Sequence, residues 1–159
     1  MDILVAFCKW LENTSWALAV SGAYELYPYL RLIHFTGLAL FVGTTAVVDL
    51  RLLGWGRRRE GADQLSAQLL TWNWIGLGVT ILGGVLLFLG TASGYIINPA
   101  FQIKMLALLT VIALRVTIQR KVLAWGGTPN VPAVAKLIAG VELTLWIGMI
   151  TAAVRIPNY

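Results

Sequence analysis

The chain is 159 residues long, and 58% of these residues are hydrophobic while only 12% are charged. Soluble domains carry about a quarter charged residues, so this composition excludes an ordinary water-soluble globule and predicts an integral membrane protein of one domain. The net charge of +5 does not predict nucleic-acid binding, because the basic residues lie in short segments between apolar runs, where membrane orientation explains them.

The first twenty residues predict an amphipathic helix that lies in the membrane interface. Residues 2–14 are too few to cross a bilayer, which takes about 20 apolar residues, and residues 15–20 continue the segment. One helical face carries Ile3, Leu4, Phe7, Trp10 and Leu11. Charged side chains interrupt the stretch, unlike a cleavable signal peptide, so the N-terminus is expected to be mature. The single cysteine, Cys8, excludes an internal disulfide and is expected to act as a small apolar residue.

Four later segments are long and apolar enough to cross a bilayer as α-helices. They cover residues 29–53, 69–91, 99–118 and 131–154. Pro99 and Pro132 suit first helical turns, where the missing N–H costs nothing. The short connections predict antiparallel neighbours. The predicted fold is therefore an all-α, four-transmembrane-helix up-down bundle with an N-terminal interfacial helix, forming a single membrane domain over residues 1–159.

The distribution of basic residues predicts the orientation of this bundle. They are concentrated in two connections, at Arg51, Arg57, Arg58 and Arg59 and at Arg120, Lys121 and Lys136. The connection at 92–98 has no basic residue, so both termini are expected to face outward and the basic connections to face the cytoplasm. An aromatic belt near the span ends is expected from Tyr24, Tyr27, Tyr29, Trp72, Trp74 and Tyr95.

The second span carries a stripe of small residues. Gly76, Gly83 and Gly90 recur every seven residues, which lets another helix approach closely in lipid. Tight packing within the bundle is one interpretation, and a groove for a flat cofactor or a lipid tail is the other. The first span repeats the theme weakly at Thr36, Ala39, Gly43 and Ala46.

Ionisable residues inside the spans are costly and are treated as functional candidates. Helical rise places His34, Lys104 and Arg155 in one outer polar layer. It places Asp49, Arg115 and Glu142 in an inner layer, with Arg115 about one turn inside the third span. The inner layer is interpreted as a buried ion pair that fixes the helix register, or alternatively as a proton path.

His34 is the only histidine, which limits its chemistry. One histidine excludes a bis-histidine haem within the chain and a three-histidine copper or zinc site. Five-coordinate haem, a pair with Met105 or Met149, ligation across a homodimer, quinone contact and a structural hydrogen bond remain open. The sequence predicts no metal centre and no catalytic residue.

Several short motifs run in a characteristic order along the chain. They are Tyr27-Pro28, His34 with Gly37, the run from Asp49 to Gly54, and Asn98, Phe101 and Lys104. The ordering resembles a family of small bacterial four-helix membrane proteins of unknown function, over essentially the whole chain. This resemblance implies the bacterial cytoplasmic membrane.

A looser similarity reaches the copper-resistance D-type membrane proteins and the four-helix protoporphyrinogen oxidases, which bind haem b. It implies functional roles for His34 and Lys104. Unlike the oxidases, this chain has no second histidine.

Three functions are compatible with these features. The first is a non-catalytic membrane subunit that anchors or stabilises a larger, possibly redox or respiratory, assembly. The second is a membrane protein that binds haem b or quinone through His34, Lys104 and Arg155. The third is a transporter of protons or small solutes. Expected partners are membrane lipids and other membrane subunits or further copies of the chain, and no nucleic acid.

Overall fold

The computed structural model describes residues 2–23, 25–55, 62–124 and 131–154. Within these residues the chain folds into helices without strands. In chain order they are α1 (Asp2–Glu12), α2 (Ser15–Gly22), α3 (Leu26–Leu52), α4 (Ala62–Leu89), α5 (Ala92–Ile97), α6 (Pro99–Ala124) and α7 (Ala133–Val154). Several residues singled out above lie outside the described residues, namely Tyr24, Arg57, Arg58, Arg59 and Arg155.

Four of the described helices, α3, α4, α6 and α7, are long and apolar enough to cross a membrane. The predicted all-α fold with four spanning helices is thereby confirmed, and the protein is a multi-pass membrane protein. Helix α3 packs most extensively on α4, and α6 packs on α7. Contacts of α3 with α7 and of α4 with α6 close the four helices into a ring.

Two apolar clusters fill the bundle at different depths. The central cluster contains Phe41, Leu77, Val111, Trp146 and Met149, and the distal cluster contains Val48, Leu52, Ile118 and Ala139. Within the central cluster, the rings of Phe41 and Trp146 meet edge to face at 5.4 Å. Below, the "α5 end" is the end of the bundle where α3 begins and α5 lies, and the "opposite end" is where α3 ends.

The helices extend beyond the predicted spans at several points. Helix α4 begins at Ala62, before residue 69, and α6 continues to Ala124, past residue 118, although its apolar part ends at Ile118. Backbone hydrogen bonding continues a helix past the lipid, whereas an apolar window marks only the part inside it. Trp72 and Trp74 lie about three turns after the start of α4, and Arg115 lies more than two turns before the end of α6.

The N-terminal segment forms two helices rather than one continuous helix. They separate at Thr14, whose side chain caps α2 by accepting from the Ala17 N–H. Helix α1 packs on α5, and α2 packs on α3 and α4, so this segment covers the α5 end. Cys8 is buried there, while Ile3 and Trp10 of the predicted apolar face remain exposed, as an interfacial helix requires.

Helix α5 replaces the plain connection expected at 92–98. Glu12 in α1 accepts hydrogen bonds from the backbone N–H of Ser93 at 2.7 Å and from its hydroxyl at 2.9 Å. A carboxylate at this position satisfies a free N–H in the first turn of a helix. Glu12 therefore joins α1 to α5.

Candidate functional site

The approach of α3 to α4 sets the position of His34. A Cβ atom added at Gly83 would lie 3.0 Å from the Cα of His34, and one at Gly84 would lie 3.2 Å from its Cε1. These two glycines leave the space that the histidine backbone and ring occupy. His34 is half-buried on α3, about two turns inside the α5 end.

One hydrogen bond fixes the chemistry of the His34 ring. Its Nδ1 lies 2.8 Å from the backbone oxygen of Thr80 on α4. A carbonyl oxygen can only accept, so Nδ1 carries the hydrogen and the neutral ring holds its lone pair on Nε2. No described residue hydrogen-bonds to Nε2. His34 thus presents a free nitrogen lone pair in a fixed orientation.

The glycine stripe on α4 is covered by α3 over most of its length. A Cβ atom at Gly76 would lie 2.6 Å from the backbone nitrogen of Phe41, and the contact at Gly83 is nearly as close. The space beside these two glycines is filled by α3, which leaves no groove there for a cofactor or a lipid tail. Gly90 lies beyond the end of α4, and its nearest neighbours are 3.8 Å or more away.

Gly43, which belongs to the predicted stripe of small residues on α3, does not make the close contact with α4. Gly43 has nothing within 4 Å of an added Cβ atom, and the contact is made by Gly37, which faces Val79 and Thr80. Gly37 lies six residues from Gly43, which places the two on different faces of a helix with 3.6 residues per turn.

The α5 end carries a stack of aromatic rings close to Lys104. Phe88, Tyr95 and Phe101 pack with their ring centroids 5.4–6.3 Å apart. Lys104 is half-buried one turn after Phe101 on α6. Burial raises the pKa of Tyr95, so its hydroxyl stays protonated at physiological pH.

Arg31 supplies a second cation at this end. Its guanidinium lies 5.8 Å from the ring centroid of Tyr27 and 5.7 Å from that of Phe35. Arg31 is one turn before His34 on the same helix, so both face the same region. The outer layer of His34 and Lys104 stays a prediction, and Arg31 is a further cation near His34 that sequence reasoning did not assign to it.

A polar layer lies between the two apolar clusters, and every spanning helix contributes to it. Its buried members are Thr44, Thr45 and Asp49 of α3, Asn73 of α4, Arg115 of α6 and Glu142 of α7. On each helix these residues fall between, or directly beside, residues packed in the central and distal clusters. The polar groups are therefore enclosed by apolar side chains along the bundle axis.

The three charged members of this layer lie together. Arg115 Nη1 is 3.8 Å from Asp49 Oδ1, and both side chains are almost completely buried. Glu142 is completely buried in the same layer. Among the described residues, Arg115 has its closest carboxylate in Asp49.

The layer also contains a hydrogen-bonded network that the sequence reading missed. The Asn73 side-chain amide donates to Thr44 Oγ1 at 2.8 Å, to Thr45 Oγ1 at 2.9 Å and to the Phe41 carbonyl at 3.2 Å. The sequence does contain a signal for this network in the spacing of residues on α4. Asn73 precedes Gly76 by three residues and Thr80 by seven. These residues share one helical face, and two of them are polar.

Comparison with known proteins places the chain in a family. A model described as a family of unknown function, DUF6644, matches residues 7–157. The chain belongs to this family. No curated protein and no solved structure matches it. The comparisons give no support to the looser resemblances to copper-resistance D-type proteins and protoporphyrinogen oxidases.

Among the described residues of this DUF6644 family member, no group of three His, Cys, Asp or Glu side chains is arranged to hold a metal ion. The groups that can take part in chemistry are therefore His34 with its two neighbouring cations and the charged part of the polar layer.

Proposed function

We propose that this protein is a membrane redox protein that binds haem b or a quinone at His34, at the α5 end of the bundle. The observation that carries the proposal is the hydrogen bond from His34 Nδ1 to the Thr80 carbonyl. Histidines that ligate metals commonly donate their other ring N–H to a carbonyl or carboxylate, which fixes the ring and directs the free nitrogen.

The residues around His34 fit such a group. A neutral imidazole Nε2 is a suitable axial ligand for haem iron and an acceptor for a quinol hydroxyl. Lys104 and Arg31 are cations that suit the propionate carboxylates of haem, and the Lys104 ammonium is a donor for a quinone carbonyl. Bound haem or quinone would supply the electron-transfer chemistry, which this chain's side chains lack.

Two methionines are candidates for a second ligand of a haem iron that His34 would hold. Met149 is packed in the central cluster, whereas Met105 is half-buried beside Lys104. Because His34 is the sole histidine, the proposal is a five-coordinate haem, a haem with Met105, or a haem shared between two copies.

A haem titration of the purified protein, with His34→Asn as the matched variant, tests this proposal. Asparagine can keep a donor near the position of Nδ1 and so retain the hydrogen bond to Thr80, but it has no atom at Nε2. Wild-type protein is expected to develop a Soret band on haem addition, and His34→Asn is expected to lose it without a large change in melting temperature. A quinone extracted from wild type but not from His34→Asn would support the quinone version.

Two results would count against this proposal. Wild-type protein that shows no Soret band with added haem, and that yields no more quinone than His34→Asn, would contradict cofactor binding at this site. A band retained fully by His34→Asn would place the haem elsewhere.

The anchoring function stays a second proposal. The exposed apolar residues of α1 and α2, such as Trp10 and Trp16, form a surface that suits lipid or a partner subunit equally. A non-catalytic subunit of a larger assembly would bring stoichiometric partners through a gentle purification. A chain that copurifies with no other protein would argue against it.

We also propose the bacterial cytoplasmic membrane, with both termini on the outer side. The support is the excess of basic residues near the opposite end, where Arg120 and Lys121 are exposed, over the α5 end. A C-terminal alkaline phosphatase fusion is expected to be active, since this enzyme folds only outside the cytoplasm, and a C-terminal green fluorescent protein is expected to be dark. The reverse pattern would invert the proposed topology.

A further inference from the structure

Among the described residues, the polar layer contains more buried acidic side chains than basic ones. Asp49 and Glu142 are 0% exposed and Arg115 is 3% exposed. If all three were ionised, they would carry a net charge of −1 in the hydrocarbon region. An uncompensated charge there is expensive, and buried groups commonly avoid the cost by changing protonation state.

Hydrogen bonding is incomplete around the same groups. Both carboxyl oxygens of Asp49 and of Glu142, and the Nε and Nη1 atoms of Arg115, are buried without a hydrogen-bond partner. The Asp49–Arg115 distance of 3.8 Å is also too long for a direct hydrogen bond. Buried polar groups are normally satisfied, and protonation would turn one of these acceptors into a donor.

A proton bound by the two carboxyl groups would supply such a donor. Asp49 and Glu142 are both completely buried in the same layer, where two carboxylates can only accept and would repel each other. One proton turns this repulsion into a hydrogen bond from a carboxylic acid to a carboxylate. It also brings the total charge of the layer to zero.

The surroundings favour Glu142 as the residue that holds the proton. Asp49 has the guanidinium within 4 Å, whereas Glu142 has no described cation at that distance. From α4 the layer receives the neutral amide of Asn73, which is already engaged with three acceptors. The other Lys, Arg, His, Asp and Glu residues on these helices lie towards the ends. They are Arg31, His34 and Lys104 towards the α5 end, and Arg51, Asp63, Arg120, Lys121 and Lys136 towards the opposite end.

We propose that the Asp49–Glu142 pair is a proton-binding site within the bundle, with Arg115 as its fixed counter-charge. The ligand is a single proton shared by the two carboxyl groups. Because the central and distal clusters enclose the layer, proton exchange with water requires a local opening of the bundle. The site does not depend on a cofactor at His34, so the two proposals fail or succeed separately.

Infrared spectroscopy of the protein in lipid nanodiscs tests this proposal. The C=O stretch of a carboxylic acid is separate from the carboxylate and amide bands, and the chain has only 7 Asp and Glu residues. At neutral pH, wild type is expected to show a carboxylic acid band equivalent to one residue. Glu142→Gln, which resembles the protonated side chain in shape, is expected to remove it, and the exposed Glu25→Gln is expected to keep it.

The Arg115→Met variant distinguishes a proton-binding site from a simple ion pair. Without the guanidinium both carboxyl groups must become neutral, so the acid band is expected to increase up to twofold. Absence of the band in wild type, or its persistence at full strength in both Glu142→Gln and Asp49→Asn, would overturn the proposal. The wild-type and Glu142→Gln spectra decide the question even if Arg115→Met does not fold.

Discussion

Arg115→Met is expected to lower the free energy of unfolding by about 3–5 kcal/mol at neutral pH, the usual cost of removing one partner from a buried ion pair. Methionine keeps an unbranched apolar stem, so the loss reflects the missing charge more than lost packing. Asp49 is completely buried and has its closest described cation in Arg115. The folded variant must therefore bury an uncompensated carboxylate or take up an additional proton.

The sign of the pH dependence follows from that additional proton. If the folded variant binds more protons than its unfolded chain, its stability must fall as pH rises. The deficit relative to wild type is therefore expected to be larger at pH 8 than at pH 5. Unfolding in mixed micelles with increasing SDS, followed by circular dichroism, measures both effects.

Arg120→Met is the matched control on the same helix. Arg120 is exposed, so its replacement is expected to change stability by no more than about 0.5 kcal/mol. Equal losses for the two variants, or a deficit of Arg115→Met that does not change with pH, would contradict the described environment of Arg115.

Gly76→Ala is expected to destabilise the bundle by about 1–3 kcal/mol through overpacking. The new Cβ atom would lie 2.6 Å from the backbone nitrogen of Phe41 and 3.1 Å from the carbonyl oxygen of Gly37. Backbone atoms cannot move aside as a flexible side chain can. Helices α3 and α4 must therefore separate, along the most extensive contact in the bundle.

Gly78→Ala provides the control for this substitution. Gly78 lies two residues further along α4 on an exposed face, and an added Cβ atom meets nothing within 4 Å. Alanine is expected to be neutral or stabilising there by up to about 1 kcal/mol, since it favours a helix more than glycine does. Thermal unfolding of both variants in the same detergent gives the comparison. A Gly76→Ala protein as stable as Gly78→Ala would contradict the close packing of α3 and α4.

The four spans could be predicted because a bilayer imposes a length and a composition on any helix that crosses it. The helix ends could not be predicted in the same way. Residues 62–68 include polar side chains that lower the hydropathy, yet they continue α4, because helix formation depends on backbone hydrogen bonds.

Residues of the candidate sites were recognisable because ionisable side chains are rare in spans. That rule identified His34, Asp49 and Glu142, but it does not predict the orientation of their side chains. The tautomer of His34 depends on the Thr80 carbonyl, a backbone atom that no sequence pattern marks. The contact of Glu12 with Ser93 is likewise marked by no local sequence pattern, because it joins residues 81 positions apart.

The face of α3 that packs on α4 could not be predicted from the sequence either. Sequence spacing placed Gly43 in a weak stripe of small residues on the first span, whereas Gly37 makes the close contact with α4. Small residues are present on more than one face of α3, and hydropathy does not distinguish the faces of a helix that is apolar all round. Only the position of α4 decides between them.

An absorbance spectrum of the protein extracted gently from native membranes tests the central claim most directly, with the copurifying proteins and quinones identified in the same sample. The account predicts a Soret band, or bound quinone, in wild type and its loss in His34→Asn. Folded protein with neither haem nor quinone, or a spectrum identical in wild type and His34→Asn, would contradict a redox cofactor at His34.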